Sequence, residues 1–283
     1  LKRYVLTWAQ NDTPVCAPFL AALRNYPAKL VVIRGHYHNP TSKYEAFLED
    51  KSSWAPVLEP FMLDGELSLC PNLKVLGNIR TQPTAARPLS GLEAYVGKNS
   101  AIVGHPKRAF TTVATTTRWP RVLATTGAVT VPNYSRSTAG AKGERHHVLG
   151  ALVVEVDTDG AYFIRQISWD AKTKTFTDLA TTYSPAGMAK ARPALSLTVG
   201  DVHAGRTDAM SLAATHEQIT ELAPEHVFLH DVFDCSTRNH HERKNPRDRY
   251  EKRNRLVRDE VRLAAGVVAD FARRPTKVHV VRS

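Results

Sequence analysis

Long apolar runs are missing from this chain of 283 residues. No stretch reaches the roughly 18 apolar residues that a membrane-crossing helix needs, and the opening LKRYVLTWAQNDTPV places charge where a secretory leader needs an unbroken apolar core. Membrane-spanning and exported classes are set aside, and a cytoplasm is expected. Cysteine is scarce: Cys16, Cys70 and Cys235 are too few and too scattered for a disulfide framework or a structural zinc site, and read as small buried hydrophobes. Acidic residues are short as well. Against 38 Lys and Arg stand 27 Asp and Glu, a formal net charge of +11. That balance favours a polyanionic partner, nucleic acid being the simplest, because clustered cations displace counterions from phosphates whatever the base sequence. Internal repeats and low-complexity linkers are also lacking. A start at Leu1 without methionine and an end on a strand-like run read as a portion of a longer polypeptide.

What is present divides into two grammars. The first opens β-α-β: a β-prone run at 3–7, a helix from Thr13-Pro14 through Leu20, Leu23 and Tyr26, and KLVVIR at 29–34, apolar throughout as a strand covered on both faces would be. A third strand at 73–79 precedes a stretch rich in Thr, Gly and Pro that reads as short strands and turns. GALVVEVDTDGAYFIRQISW then holds two β-prone runs around Asp159-Gly160, a hairpin signal. Past Ser184-Pro185 and Arg192-Pro193 the order becomes regular: strand 195–200, helix 210–222, strand 225–230, a long helix at 249–273 and strand 277–282. The expected domains are 1–193, an α/β domain with a β-rich part and no assigned role, and 194–283, a β-α-β-α-β unit whose right-handed crossovers make a parallel sheet.

In such sheets functional groups collect beyond the carboxyl ends of the strands. Gly200-Asp201-Val202-His203 follows the first strand of the second domain, and His230-Asp231-Val232-Phe233-Asp234 follows the second. Alternation in an extended segment puts Asp201 and His203 on one side, where they can grip an ion that Asp231 also reaches. Mixed oxygen and nitrogen donors suit manganese, iron or zinc better than calcium. Either motif alone is common by chance; both at successive strand ends carry the argument.

GDVHAGRTD followed by HDVFD is similar to the opening Asp-x-His and Gly-Asp-x-x-Asp motifs of the calcineurin-like metallophosphoesterases. With HDVFDCSTRNHHERKNP and TTGAVTVPNYSRSTAGAKGERHHVLGALVVEVD, the chain resembles the phage members of that superfamily that act in DNA transfer and degrade host DNA. The resemblance implies a layered α/β sandwich, incomplete at its C-terminus. It also implies a phosphodiesterase cleaving DNA with two divalent ions, manganese before magnesium, iron or zinc. Asp201 and His203 would bind the first ion, Asp231 would bridge both, and Asp234 would orient its neighbours. DNA is the implied partner, the host cytoplasm the implied compartment, and a homo-oligomer is left open. Two departures stand out. His230 occupies the place of the superfamily glycine, and the Asn-His motif expected after the strand at 277–282 does not follow before Ser283. Asn239-His240-His241-Glu242 lies too soon after Asp231 to be that motif; His240 and His241 are candidates for catalysis or phosphate contact, with a polar helix-capping loop as the alternative.

The positive charge is concentrated at 238–262, with ten Lys or Arg against five Asp or Glu. On the long helix, Val257, Val261, Ala264, Val268 and Phe271 form an apolar face. Arg238, Arg243, Lys244, Arg255 and Arg258 are the DNA-guiding candidates, and a solvated face with Asp259 and Glu260 in intrahelical pairs is the alternative. A second basic stretch, 136–147, reads as a surface turn, and His36 and His38 as coincidence. A non-catalytic DNA-transfer scaffold and a small-nucleotide phosphoesterase are the competing functions.

Overall fold

A computed structural model describes residues 1–35, 53–116, 121–238, 246, 250 and 256–282. The chain divides into two compact units, Leu1–Ala189 and Lys190–Ser283. Among the described residues no helix is long and apolar enough to cross a membrane.

The first unit is mixed α/β. Its leading strand β1 (Lys2–Gln10) is followed by α1 (Ala17–Arg24), β2 (Lys29–Gly35) and the short β3 (Met62–Leu63). These strands run parallel, and β9 (Gly150–Val156) and β10 (Tyr162–Ser168) add antiparallel to the other edge, giving the order β10-β9-β1-β2-β3. Alternation along β1 sends Leu6 and Trp8 to one face and Val5 and Ala9 to the other. Both faces are buried, which is why β2 carries the unbroken apolar run Leu30-Val31-Val32-Ile33. On one face α1 inserts Phe19, Leu20 and Leu23. Phe176 of β11 (Phe176–Asp178) and Tyr183 of β12 (Thr181–Ser184) close the same cluster, and β13 (Gly187–Lys190) pairs beyond β12.

Against the other face lies a second sheet built from β4 (Glu66–Cys70), β5 (Leu73–Leu76), β6 (Ser100–Val103), β7 (Phe110–Val113) and β8 (Arg121–Thr125), in the order β4-β5-β6-β8-β7. Leu73, Val75, Ile102 and Ala124 meet Leu6, Trp8, Val31 and Ile33 between the sheets. The strand expected at 73–79 stops at Leu76, where Gly77 turns and donates to the Gly65 carbonyl at 2.9 Å. The hairpin at 150–168 forms with Val156 opposite Tyr162, and only Gly160 of its turn takes a positive φ, +86°.

The basic stretch at 136–147 is a helix, α2 (Thr138–His146), rather than a turn. Ser137 caps it by accepting from the Gly140 amide. Its histidines turn inward: His146 Nε2 pairs with the Pro83 carbonyl, and His147 bridges Tyr134 and the Thr130 carbonyl at 2.9 Å each. His105, fully buried, accepts from the Lys107 amide and reaches the Gln82 carbonyl. Burial pushes both His105 and His147 down to about 4.

The second unit contains β14 (Ser196–Val199), α3 (Ala209–Leu222), β15 (His226–Leu229), α4 (Val257–Ala272) and β16 (Lys277–Val280). The three strands are parallel in the order β14-β15-β16, as the β-α-β-α-β pattern requires. Val227, Leu229 and Val278 face Ile219 of α3 and Ala264 and Phe271 of α4. The apolar face of α4 is shifted from expectation, and half-buried Val257 stands outside the core cluster. Val261 is 49% exposed, while Val267 joins the core in its place. Leu256, immediately before α4, is extended with φ −108° and ψ 139°, so the described helix begins later than residue 249.

One prediction concerns the first unit. His105 and His147 have folded pKa values depressed below the ordinary histidine range, so the unfolded chain binds more protons between about pH 6.5 and pH 4. Their stabilising contribution is fully present above about pH 6.5 and is lost as pH falls through about 4. All four tryptophans fall within residues 1–189, so their fluorescence reports this unit alone. Tryptophan-detected unfolding should occur at clearly lower temperature at pH 5 than at pH 7, and His105→Gln should flatten that dependence. Identical melting at both pH values would contradict it.

Candidate metal centre

The strand ends of β14 and β15 do not separate beyond the sheet. The His230 amide donates to the Val199 carbonyl at 2.9 Å, and Val202, His203 and Ala204 then donate to the carbonyls of His230, Asp231 and Val232 at 3.3, 2.8 and 3.0 Å. β14 and β15 end at Val199 and Leu229, yet main-chain bonds from three consecutive amides to three consecutive carbonyls go on joining the two loops that carry the candidate residues. Val202 and Val232 are buried beneath these bonds, and Asp201 and His203 emerge above. The segment is not extended as alternation assumed. Asp201, His203 and Asp231 all have left-handed backbone, with φ of 53°, 38° and 49°. Such backbone costs roughly 1 kcal/mol or more for a non-glycine residue and gathers at functional sites. The main-chain ladder and the cap beyond it hold the turn. Arg206 donates its amide to His203 O at 2.8 Å, Thr207 Oγ1 bonds the Val202 carbonyl, and Asp208 caps α3 through Ser211.

Around the His203 ring three carboxylate and guanidinium groups line up. Asp201 Oδ1 stands 3.9 Å from Nε2, Asp234 Oδ1 stands 3.6 Å from Nδ1, and Arg206 pairs with Asp234 Oδ2 at 3.3 Å. His203 Nδ1 is buried without a hydrogen bond, and the Asp201 side chain is 85% exposed. Two donors sharing one ion through bonds of about 2.1 Å lie no more than about 4.2 Å apart, so Asp201 Oδ1 and His203 Nε2 meet that limit. A carboxylate behind the second ring nitrogen is the usual partner of a ligating histidine. The donor chemistry thus fits a divalent ion held by Asp201 and His203 with Asp234 behind.

Asp231 is tied to His203 through its carbonyl, but its carboxylate does not join the pair. Among the described residues no three His, Cys, Asp or Glu side chains gather as a ligand group, so they do not by themselves assemble a two-ion centre. His240, His241, Arg243, Lys244 and Arg255 lie outside the described residues. Of the other basic candidates, Arg238 closes a turn by donating its amide to Cys235 O, and Arg258 is 70% exposed at the start of α4, 3.8 Å from Asp259.

Two groups that sequence reasoning passed over belong to the site. Arg206, in the GRTD of the first loop, meets Asp234. Glu260 of α4 reaches the loop after Asp234 instead of pairing within its helix, while Asp259 does pair with Arg262 at 3.5 Å. The only sequence signal for Glu260 is an acidic residue in a first helical turn, which points first to the helix dipole.

The chain is related to a bacteriophage protein. That relative is Protein A1 of Escherichia phage T5, to which 258 residues are 32% identical; the aligned stretch takes 86% of this chain and 46% of Protein A1. The chain thus spans about half the length of the curated relative it matches. No family model and no solved structure matches it. The phosphoesterase resemblance accordingly rests on the residues of the site.

Gly205 sets up a test of the local backbone. Its φ is +89°, and a Cβ there would lie 2.6 Å from Leu263 Cδ2. Gly205→Ala should destabilise the second unit by about 1–2 kcal/mol in chemical unfolding followed by circular dichroism. Adding Leu263→Ala should recover the steric part. A Gly205→Ala chain as stable as the parent would refute the tight contact.

Proposed function

We propose that the second unit is a divalent-metal-dependent phosphodiesterase acting on DNA, built as the layered α/β sandwich of the metallophosphoesterases. The observation that carries this reading is the ladder that extends past the sheet and delivers Asp201, His203 and Asp231, each in left-handed backbone, to one edge. Asp201 Oδ1 and His203 Nε2 would hold an ion, manganese being the first choice, and Asp231, whose carboxylate stands apart from that pair, would be the candidate ligand for a second. When bound, such ions supply Lewis acidity toward a phosphoryl oxygen. The chain's own residues do the rest. Asp234 Oδ1, 3.6 Å from His203 Nδ1, is placed to accept its proton when the ring ligates through Nε2, the tautomer a ligating histidine needs. Arg206, half exposed beside Asp234, offers a guanidinium to the substrate phosphate. His240 or His241 protonates the leaving oxygen. Arg238, Arg243, Lys244, Arg255 and Arg258 contact backbone phosphates of DNA, in keeping with the net charge of +11. The relationship to a phage protein is in keeping with the resemblance to phage phosphoesterases, which implies a role in DNA transfer or host-DNA degradation in the host cytoplasm.

A second reading, a DNA-transfer scaffold without catalysis, is favoured by the incomplete ligand group among the described residues. Calorimetry with manganese separates the two. The intact chain should bind the ion, and Asp201→Asn or His203→Ala should lower affinity at least about tenfold, the scale seen even for groups that only support ligands. Unchanged affinity in both variants refutes the centre. Plasmid DNA and a cyclic dinucleotide, each with manganese and with chelator, then distinguish nuclease from small-nucleotide phosphoesterase; cleavage of neither leaves the scaffold.

For the DNA contact, Arg258→Gln should reduce the slope of log affinity against log salt by about 0.9 on duplex DNA, one phosphate contact's worth. An identical slope, measured by fluorescence anisotropy, would return Arg258 to the solvated face.

A further inference from the structure

The two loops that bear the metal candidates meet one helix. Three groups of the loop after β15 converge on a single carboxylate oxygen: the Thr237 amide at 2.7 Å, Ser236 Oγ at 3.0 Å, and Thr237 Oγ1 all bond Glu260 Oε1. Glu260 stands in the first turns of α4. One helical turn on, Leu263 of the same helix presses against Gly205 of the loop after β14. Between these contacts lies a small cleft lined by Arg206, Asp234, Ser236, Glu260 and Leu263.

The placement is specific. A glutamate at this point of a helix ordinarily faces solvent or an intrahelical cation, and neighbouring Asp259 does so with Arg262. Glu260 is instead partly buried and spends its carboxylate on three donors from a segment 23 and 24 residues earlier in the chain. Those donors begin two residues after Asp234, the carboxylate that faces His203 Nδ1. The Asp234 side chain has no helix or strand of its own to fix it. Cys235, between Asp234 and the bonded pair, is in left-handed backbone at φ 48°, and Arg238 closes the turn onto its carbonyl. A strained loop of this kind keeps its shape only when its surroundings over-determine it, and the Glu260 carboxylate supplies three such bonds.

We propose that Glu260 is a positioning residue: through Ser236 and Thr237 it locks the loop that presents Asp234 to His203, and so sets the ligand geometry of the metal centre. This inference rests on the metal reading above. It also gives α4 two jobs on two faces, since Arg258 and Arg262 point outward while Glu260 and Leu263 hold the loops. Glutamine at 260 keeps an acceptor oxygen at the same reach. Alanine leaves the Thr237 amide and both hydroxyls without their acceptor.

The test uses the full 283-residue chain, manganese calorimetry and amide hydrogen exchange. Glu260→Ala should lower manganese affinity about tenfold and speed exchange at the Thr237 amide; Glu260→Gln should retain most of both. Thr237→Val, which removes one donor from the other side, should weaken binding in the same direction and not additively with Glu260→Ala. Phe271→Leu, a core change farther along α4, should lower the melting temperature without changing affinity. Manganese affinity unchanged in Glu260→Ala and in Thr237→Val would overturn the proposal, as would an equal loss in Phe271→Leu or an equal loss in Glu260→Gln. Should Glu260→Ala fail to fold, Thr237→Val and Glu260→Gln decide by the same criteria. If the parent chain binds no manganese, the metal reading itself falls; if it binds and the Glu260 variants bind equally, only the positioning role falls.

Discussion

Everything at the candidate centre depends on a main-chain ladder that refuses to end with its strands. Parallel strands normally diverge at their carboxyl ends, which is what opens a crevice there. In the second unit the bonds from Val202, His203 and Ala204 to the loop after β15 carry the pairing three residues further. Because these are backbone bonds, they hold whatever the side chains do, and they offset the left-handed conformations at Asp201, His203 and Asp231. Side chains that an extended strand would bury or splay are thereby raised at a single edge. The ring of His203 then sits with an exposed carboxylate on one side and a sheltered one on the other.

The local pattern of the second unit was legible because its strands are short apolar runs at regular intervals, and the crossover rule leaves one parallel arrangement for them. The edge that collects Asp201, His203 and Asp231 followed from the same rule. The left-handed turns did not, since nothing in Asp-Val-His distinguishes them from an extended segment. Glu260 was illegible for a different reason: its partners lie in another loop, and periodicity along α4 says only that position 260 borders the apolar face. In the first unit, α2 was read as a turn because its glycines suppress helix propensity; the structure shows Gly140 and Gly143 buried where a side chain would strike Ser135 or Tyr134. Thus glycine there serves close packing rather than flexibility.

The first unit has a different character. His105 and His147 have bonded ring nitrogens and pKa values pushed down by burial, and Arg165 is held between Asp178 and Glu155 at 2.8 Å, with Tyr26 donating to Asp178. The two carboxylates raise the pKa of Arg165 above its ordinary value, and burial raises that of Tyr26. Those contacts form a polar network around Arg165 that is paired within itself. The second unit, by contrast, leaves His203 Nδ1 without a hydrogen bond in a buried setting, next to two acidic groups. Unspent hydrogen-bonding capacity beside strained backbone sets His203 apart from His105 and His147, whose ring nitrogens are bonded.

The central claim is that one ion sits between Asp201 and His203. Paramagnetic broadening by substoichiometric manganese in an isotope-labelled chain measures this without altering any residue. The account predicts that resonances of Asp201, His203 and the amides of Val202 and Asp231 broaden first. Broadening centred on any other histidine, or none at all, would contradict it.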